Sequence, residues 1–222
     1  MATTAVLHVT SAAGGGVDRY IRDLAATTAA RHWIWHAGAG VIEDVARRRF
    51  HRAADATAIG RFVADARIGV AHLHGVTRDC EGALATVRAA RSVPHLLTLH
   101  DIGFVAPRAF AGDEGADPAQ IARVAPLLSA ADAVIAPSHY LASLVARHFP
   151  DVAAREIAPG IDARANARAT PHRPHADFAA HAKHLRIAIV GAIGPHKGSD
   201  ALEALAAAVA AHDATLVVIG YT

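Results

Sequence analysis

Short apolar runs alternate along this chain with stretches of helical periodicity. Val6-Leu7-His8-Val9, ending at Thr10-Ser11, predicts a buried strand. Gly14-Gly15-Gly16 follows, and Val17, Tyr20, Ile21, Leu24, Ala25 and Thr28 then recur at helical spacing up to Arg31. The opening unit is therefore strand, glycine loop, helix. Trp33-Ile34-Trp35 reads as a second strand, Ile59 to Ala66 as a helix, and Val70 to His74 as a strand ended by Gly75. A helix over Glu81 to Arg91, a strand over Leu96 to His100 and a helix over Ile121 to Ala131 come next. Ala133 to Ala136 is a strand stopped by Pro137-Ser138, Tyr140 to Phe149 a helix, and Glu156 to Ala158 a short strand before Pro159-Gly160.

This order implies an α/β fold with a Rossmann-like parallel sheet flanked by helices. Right-handed crossovers collect the loops after the strands on one edge. Those loops are Ser11 to Gly16, Gly75 to Cys80, Asp101 to Pro107 and Ser138, and ligand chemistry is expected there. Ala163 to His184 breaks the rhythm with Pro171, Pro174 and several arginines and histidines, and reads as a linker. The rhythm then restarts: a strand from Leu185, a loop from Gly191 to Gly198, a helix from Ser199 to Ala211 and a strand from Leu216 to Ile219. The expected organisation is one Rossmann-like domain over residues 1–162, a linker over 163–184, and the first β-α-β unit of a second such domain over 185–222. A lone unit of that kind leaves apolar surface uncovered. A chain cut within its second domain is expected, with further sequence or another chain covering residues 185–222.

Composition narrows the class. Of 222 residues, 53% are hydrophobic, so a packed core is expected and disorder is not. The net charge of +2 asks for no nucleic acid. A single cysteine, Cys80, rules out an internal disulfide and fits a reducing, cytoplasmic setting. No signal peptide or membrane-spanning run is visible; the apolar runs fall short of the roughly 20 residues a span needs.

Gly14-Gly15-Gly16 lies between strand and helix, where glycine backbone and helix N–H groups could cradle a phosphate; a tight turn is the alternative. A dinucleotide fingerprint is not met. Arg19 stands where its third glycine belongs, and no acid follows the second strand at Ala37-Gly38, with Glu43 too far along. In the second loop His196 occupies the position before Lys197 that a Walker A glycine needs, yet a lone ammonium at a helix entrance suits a pyrophosphate. His100 could act as donor or base with Asp101 orienting a hydroxyl, or the pair could be a half-buried histidine and a helix cap. Arg108 could meet an anion. His72 and His74 share a strand face, but with 16 histidines present and no acid or cysteine completing the set, no metal site is expected. Arg47, Arg48, Arg49 and Arg52 form a basic run, read as a solvated face or as a contact with anionic lipid headgroups at the inner membrane surface or with a phosphorylated carrier.

Together these stretches resemble glycosyltransferase family 4, retaining enzymes of the GT-B fold. The resemblance rests on Gly14 to Tyr20, on Leu97 to Asp101 continuing to Pro107-Arg108, and on Ala136 to Tyr140. It rests also on Pro159-Gly160-Ile161-Asp162 and on Val190-Gly191 through Lys197-Gly198. It implies an acceptor-side domain followed by a domain for a nucleotide sugar, UDP- or GDP-linked, and a glycan or lipid-linked acceptor. By that likeness Gly15, Gly16, Gly191, Gly194 and Lys197 would bind the donor, His100 would line the reaction centre, and Arg19, Asp101 and Arg108 would meet the acceptor. Lys197 would neutralise the leaving diphosphate, so that neither metal nor cofactor is needed. Two departures stand out. Ala192 replaces an arginine common in the family's donor loop, and its paired glutamates would lie beyond Thr222, so the chain alone is expected to be inactive. A non-catalytic binding domain is the alternative; an NAD-type oxidoreductase is disfavoured by Arg19 and the missing acid.

Overall fold

The computed structural model describes residues 4–11, 14–53, 55–90, 93–106, 115–160, 185–192, 199–212 and 214–221. The chain divides into two compact units, residues 1–162 and 163–222. The segment Ala163 to His184 lies outside the described residues.

The first unit runs β1 (Ala5–Thr10), α1 (Gly15–Thr27), β2 (Arg31–His36), β3 (Val41–Asp44), β4 (Arg49–Arg52), α2 (Ala56–Asp65), β5 (Ile68–His74) and α3 (Arg78–Ala90). It continues with β6 (His95–Thr98), α4 (Pro118–Ser129), β7 (Ala133–Ala136), α5 (His139–His148) and β8 (Ala154–Glu156). The strands form one sheet in the order β4-β3-β2-β1-β5-β6-β7-β8. The stretch from β2 to β8 is parallel, as expected. Beyond that expectation, β3 and β4 extend the β2 edge as an antiparallel meander. There Arg47 and Arg48 reach back to Asp44 and Glu43, each at 3.0 Å, so half of the basic run faces buried carboxylates.

Side-chain alternation gives the sheet two unlike faces. Leu7, Val9, Trp33, Trp35, Ala71 and Leu73 join Ile59 and Val63 of α2, Val87 of α3, Val124 and Leu128 of α4, and Leu144 and Val145 of α5 in one apolar cluster. The intervening positions of the same strands, His8, His32, His72 and His74, are buried as well, on the other face. Helix starts follow their caps: Asp55 accepts from Ala58 N at 2.8 Å, Asp117 from Ala119 N at 2.8 Å ahead of Pro118, and Ser138 from Leu141 N at 3.4 Å.

The second unit pairs β9 (Leu185–Ala192) with β10 (Ala214–Tyr221) in parallel, joined through α6 (Leu202–Ala210). Leu185, Val190, Val218 and Ile219 are exposed on it. No helix among the described residues is long and apolar enough to cross a membrane.

Fully buried Leu7 packs on the apolar face, whereas Phe50 on β4 is 60% exposed. Leu7→Ala is expected to cost about 3 kcal/mol in urea unfolding and Phe50→Ala no more than about 0.5 kcal/mol. Equal losses would contradict the assignment of the core.

Candidate functional site

From β1 the chain moves outward to β2, β3 and β4, then returns to place β5 on the other side of β1. The loops after β1 and β5 therefore diverge and leave a crevice at the carboxyl ends of the strands, the usual ligand position in open parallel sheets. A cavity of about 750 Å³ occupies it. Its wall includes Thr10, Ser11 and Gly14 after β1, Gly75 and Arg78 after β5, His100 and Asp101 after β6, and Gln120 and Arg123 of α4.

The first loop delivers α1 to this crevice without a cap. Gly14 and Gly15 adopt φ of +85° and +73°, and Gly14, at the cap position, has no side chain to bond the first turn of α1. Open N–H groups and the positive end of the helix dipole are thus left beside the cavity. Gly16 has no atom within 4 Å of where a Cβ would stand and a φ within the ordinary range.

His100 follows β6, which ends at Thr98, two residues before the predicted strand end. It is half-buried and lies 3.0 Å from His74 Nδ1 through its own Nε2. Tyr20 of α1 packs edge-on against both rings, with centroids 5.8 and 5.3 Å away. Asp101 caps the short helical turn Ile102–Phe104 by accepting from Gly103 N at 2.8 Å, and also lines the cavity. Beneath His100 the buried histidines are neutral. Burial, then neighbouring histidines, pushes His8 and His74 well below the usual imidazole value, and His72 down to about 4. Burial lowers His100 too, against the pull of Asp101. His8, His72 and His74 bring one ring nitrogen each within 4.8 Å of the others, a spacing that one ion could bridge. His72 Nε2 is already 2.7 Å from Thr98 Oγ1 and both nitrogens of His8 and His74 meet other rings.

Sequence reasoning did not single out Arg78 and Arg123. Arg78 opens α3 on the cavity wall, in a loop expected to carry ligand chemistry. Arg123 pairs with Glu81 and donates to Val76 O at 3.0 Å; burial and the nearby charge of Arg78 pull its pKa down. Nothing in the sequence marks Arg123 as a neighbour of Arg78. Among the predicted residues, His100 and Asp101 share the cavity wall, and Gly15 and Gly16 form the helix turn after its Gly14 edge. Arg19 does not line it: it sits 64% exposed on α1, paired with Asp23 at 2.8 Å. Glu43 is buried on β3 and held by Arg22 at 2.9 Å, Arg48 and His36. Gly191 lies near the end of β9 with φ +130°, in the second unit. Arg108, Gly194 and Lys197 lie outside the described residues.

The family model for Glycosyltransferase Family 4 matches residues 14–165. Among solved structures, a sucrose-phosphate synthase from Thermosynechococcus elongatus superimposes with a TM-score of 0.64 at 17% identity, over 97% of this chain and 62% of that one. A glycosyltransferase from Rickettsia africae ESF-5 gives 0.56 at 12% identity, over 99% and 69%. The chain therefore spans less than two thirds of the length of the first. These likenesses carry the GT-B fold. No curated protein matches the chain in sequence.

Two outcomes follow from this geometry. His8, His32, His72 and His74 have depressed pKa values in the folded chain, so the unfolded chain takes up protons first. Stability is expected to be full above pH 6.5, the unperturbed imidazole value, and to fall as the pH drops toward about 4, where His72 titrates. His72→Gln should remove part of that slope in denaturant titrations run across the range; a flat profile would refute neutral burial. In addition, Gly14→Ala should cost about 1–3 kcal/mol through backbone strain. Gly16→Ala should gain about 0.5–1 kcal/mol, because a Cβ meets nothing there and alanine favours the helix. Thermal melts of the two variants that shifted the same way would contradict the loop geometry.

Proposed function

Because this chain belongs to glycosyltransferase family 4, we propose that it serves the transfer of a sugar, with retention, from a UDP- or GDP-linked donor to a glycan or lipid-linked acceptor. The observation that carries the reading is the crevice beside β1, where an uncapped helix start, His100 and the guanidinium groups of Arg78 and Arg123 border one cavity. Departure of a nucleoside diphosphate builds negative charge, and fixed positive groups stabilise it. In this reading Gly15 and Gly16 approach the donor phosphates or sugar, and Gly191, Gly194 and Lys197 hold the diphosphate. His100 meets the sugar, and Asp101 and Arg108 meet the acceptor. Arg19 takes the acceptor role only by giving up Asp23. Further protein, of this chain or another, would cover exposed Leu185, Val190, Val218 and Ile219.

A lipid-linked acceptor would bring the protein to a membrane surface through Arg47, Arg48, Arg49 and Arg52. The pairing of Arg47 with Asp44 and of Arg48 with Glu43 reduces what those two can add.

Isothermal titration of the chain with UDP and with GDP tests the proposal. Saturable binding of one of them is expected, weakened about tenfold by Lys197→Ala, the effect of losing one charge-assisted contact. Absence of binding by both nucleotides would remove the assignment of Gly191, Gly194 and Lys197 to the diphosphate.

A further inference from the structure

A file of hydrogen bonds crosses the second face of the sheet and ends at His100. Thr28 Oγ1 lies 2.6 Å from His32 Nε2. His32 Nδ1 lies 2.8 Å from His8 Nε2, and His8 Nδ1 lies 2.9 Å from His74 Nε2. His74 Nδ1 in turn meets His100 Nε2 at 3.0 Å. Each of the three inner rings uses both nitrogens. A neutral imidazole has one N–H and one bare nitrogen, so each link pairs a donor with an acceptor. Such a file has two proton arrangements only: every ring protonated on Nε2, or every ring on Nδ1.

One end of the file decides between them. Thr28 follows the last residue of α1, and its hydroxyl donates to the Leu24 carbonyl oxygen at 3.0 Å. That oxygen only accepts, and the hydroxyl has one proton to give. Both contacts are kept only when the contact with His32 runs the other way, His32 Nε2–H donating to Thr28 Oγ1. It follows that His8 Nε2–H donates to His32, His74 Nε2–H donates to His8, and His100 Nε2–H donates to His74. The tautomers follow from this network of partners.

We propose that Thr28, His32, His8 and His74 are positioning residues that hold His100 as its Nε2–H tautomer, leaving Nδ1 bare as the acceptor that the site offers its ligand. A hydroxyl group donates to such a nitrogen; an ether or carbonyl oxygen cannot. The site thereby selects a ligand that carries a hydroxyl at this point, and a deoxy analogue that lacks it leaves the acceptor unmatched. That selectivity rests on the sugar-transfer reading, whereas the tautomer does not. Tyr20, edge-on to both His74 and His100, keeps the last two rings in line.

Two-bond proton–nitrogen spectra of the ¹⁵N-labelled chain at neutral pH, with each ring assigned by a single His→Gln variant, read the tautomers directly. Nε2–H forms at His32, His8, His74 and His100 are expected. Thr28→Val, at an exposed position where folding is safe, removes the end that sets the direction. The Nδ1–H population should then rise in all four rings together, including His100, while Thr28→Ser keeps the original pattern. An Nδ1–H form of His100 in the unaltered chain, or a Thr28→Val change confined to His32, would overturn the proposal. So would zinc bound by His8, His72 and His74, because a ligating nitrogen is lost to the file. Four Nε2–H rings in a chain that binds neither UDP nor GDP would keep the file and discard the donor-site assignment. Nucleotide binding with His100 as Nδ1–H would do the reverse.

Discussion

The reversal of the chain at β1 governs the rest of the molecule. A parallel strand must send its chain across one face to reach its neighbour, and β1 sends α1 to one side while β5 sends α3 to the other. Two loops that leave adjacent strands in opposite directions cannot fill the space between them. The cavity at that point is a consequence of strand order, not of the side chains that line it. Those side chains give it its chemistry: open N–H groups where Gly14 replaces a capping residue, two guanidinium groups, and one half-buried imidazole.

Covering both faces of a parallel sheet normally calls for apolar residues on both. Here one face is apolar and the other carries histidine on three adjacent strands, all of it buried. An imidazole in such surroundings is tolerated when it is neutral and both its nitrogens are engaged. The depressed pKa values of His8, His72 and His74 satisfy the first requirement, and the ring-to-ring bonds satisfy the second for His8 and His74. Burial costs little once the rings serve one another, and the arrangement is more specific than an apolar layer, since each ring can take only the partner its neighbour leaves open.

Much of this was legible in the sequence. The strands at Val6 to Val9, Trp33 to Trp35, Val70 to His74 and Ala133 to Ala136 announced themselves as apolar runs between turn residues. The position of His100 at the ligand edge followed from the strand before it. β3 and β4 escaped because Arg49-Phe50-His51-Arg52 is an exposed edge strand with no apolar rhythm, and a charge run conceals it. The α1 start was placed two residues late because glycines count as loop in any propensity, whereas Gly15 opens the helix with φ +73°. The histidine layer escaped for a different reason. Residues 72 and 74 visibly share a face, but that His8 stands opposite His72 is a matter of parallel register between strands over sixty positions apart, which no local pattern encodes. Arg123 needed the same long-range knowledge to be placed beside Arg78.

α1 connects these features more closely than proximity alone requires. Its 13 residues span about 20 Å. At one end Gly14 lines the cavity; at the other, the Leu24 carbonyl accepts from the Thr28 hydroxyl, the bond that sets the direction of the histidine file. Between them Tyr20 rests on His74 and His100, and Arg22 is anchored to buried Glu43 through paired 2.9 and 3.0 Å bonds. A helix held at its middle by that ion pair cannot slide along the sheet without moving both ends at once. The helix start at the cavity and the polarity of the imidazoles are therefore tied to a single element, through Gly14 at one end and Thr28 at the other.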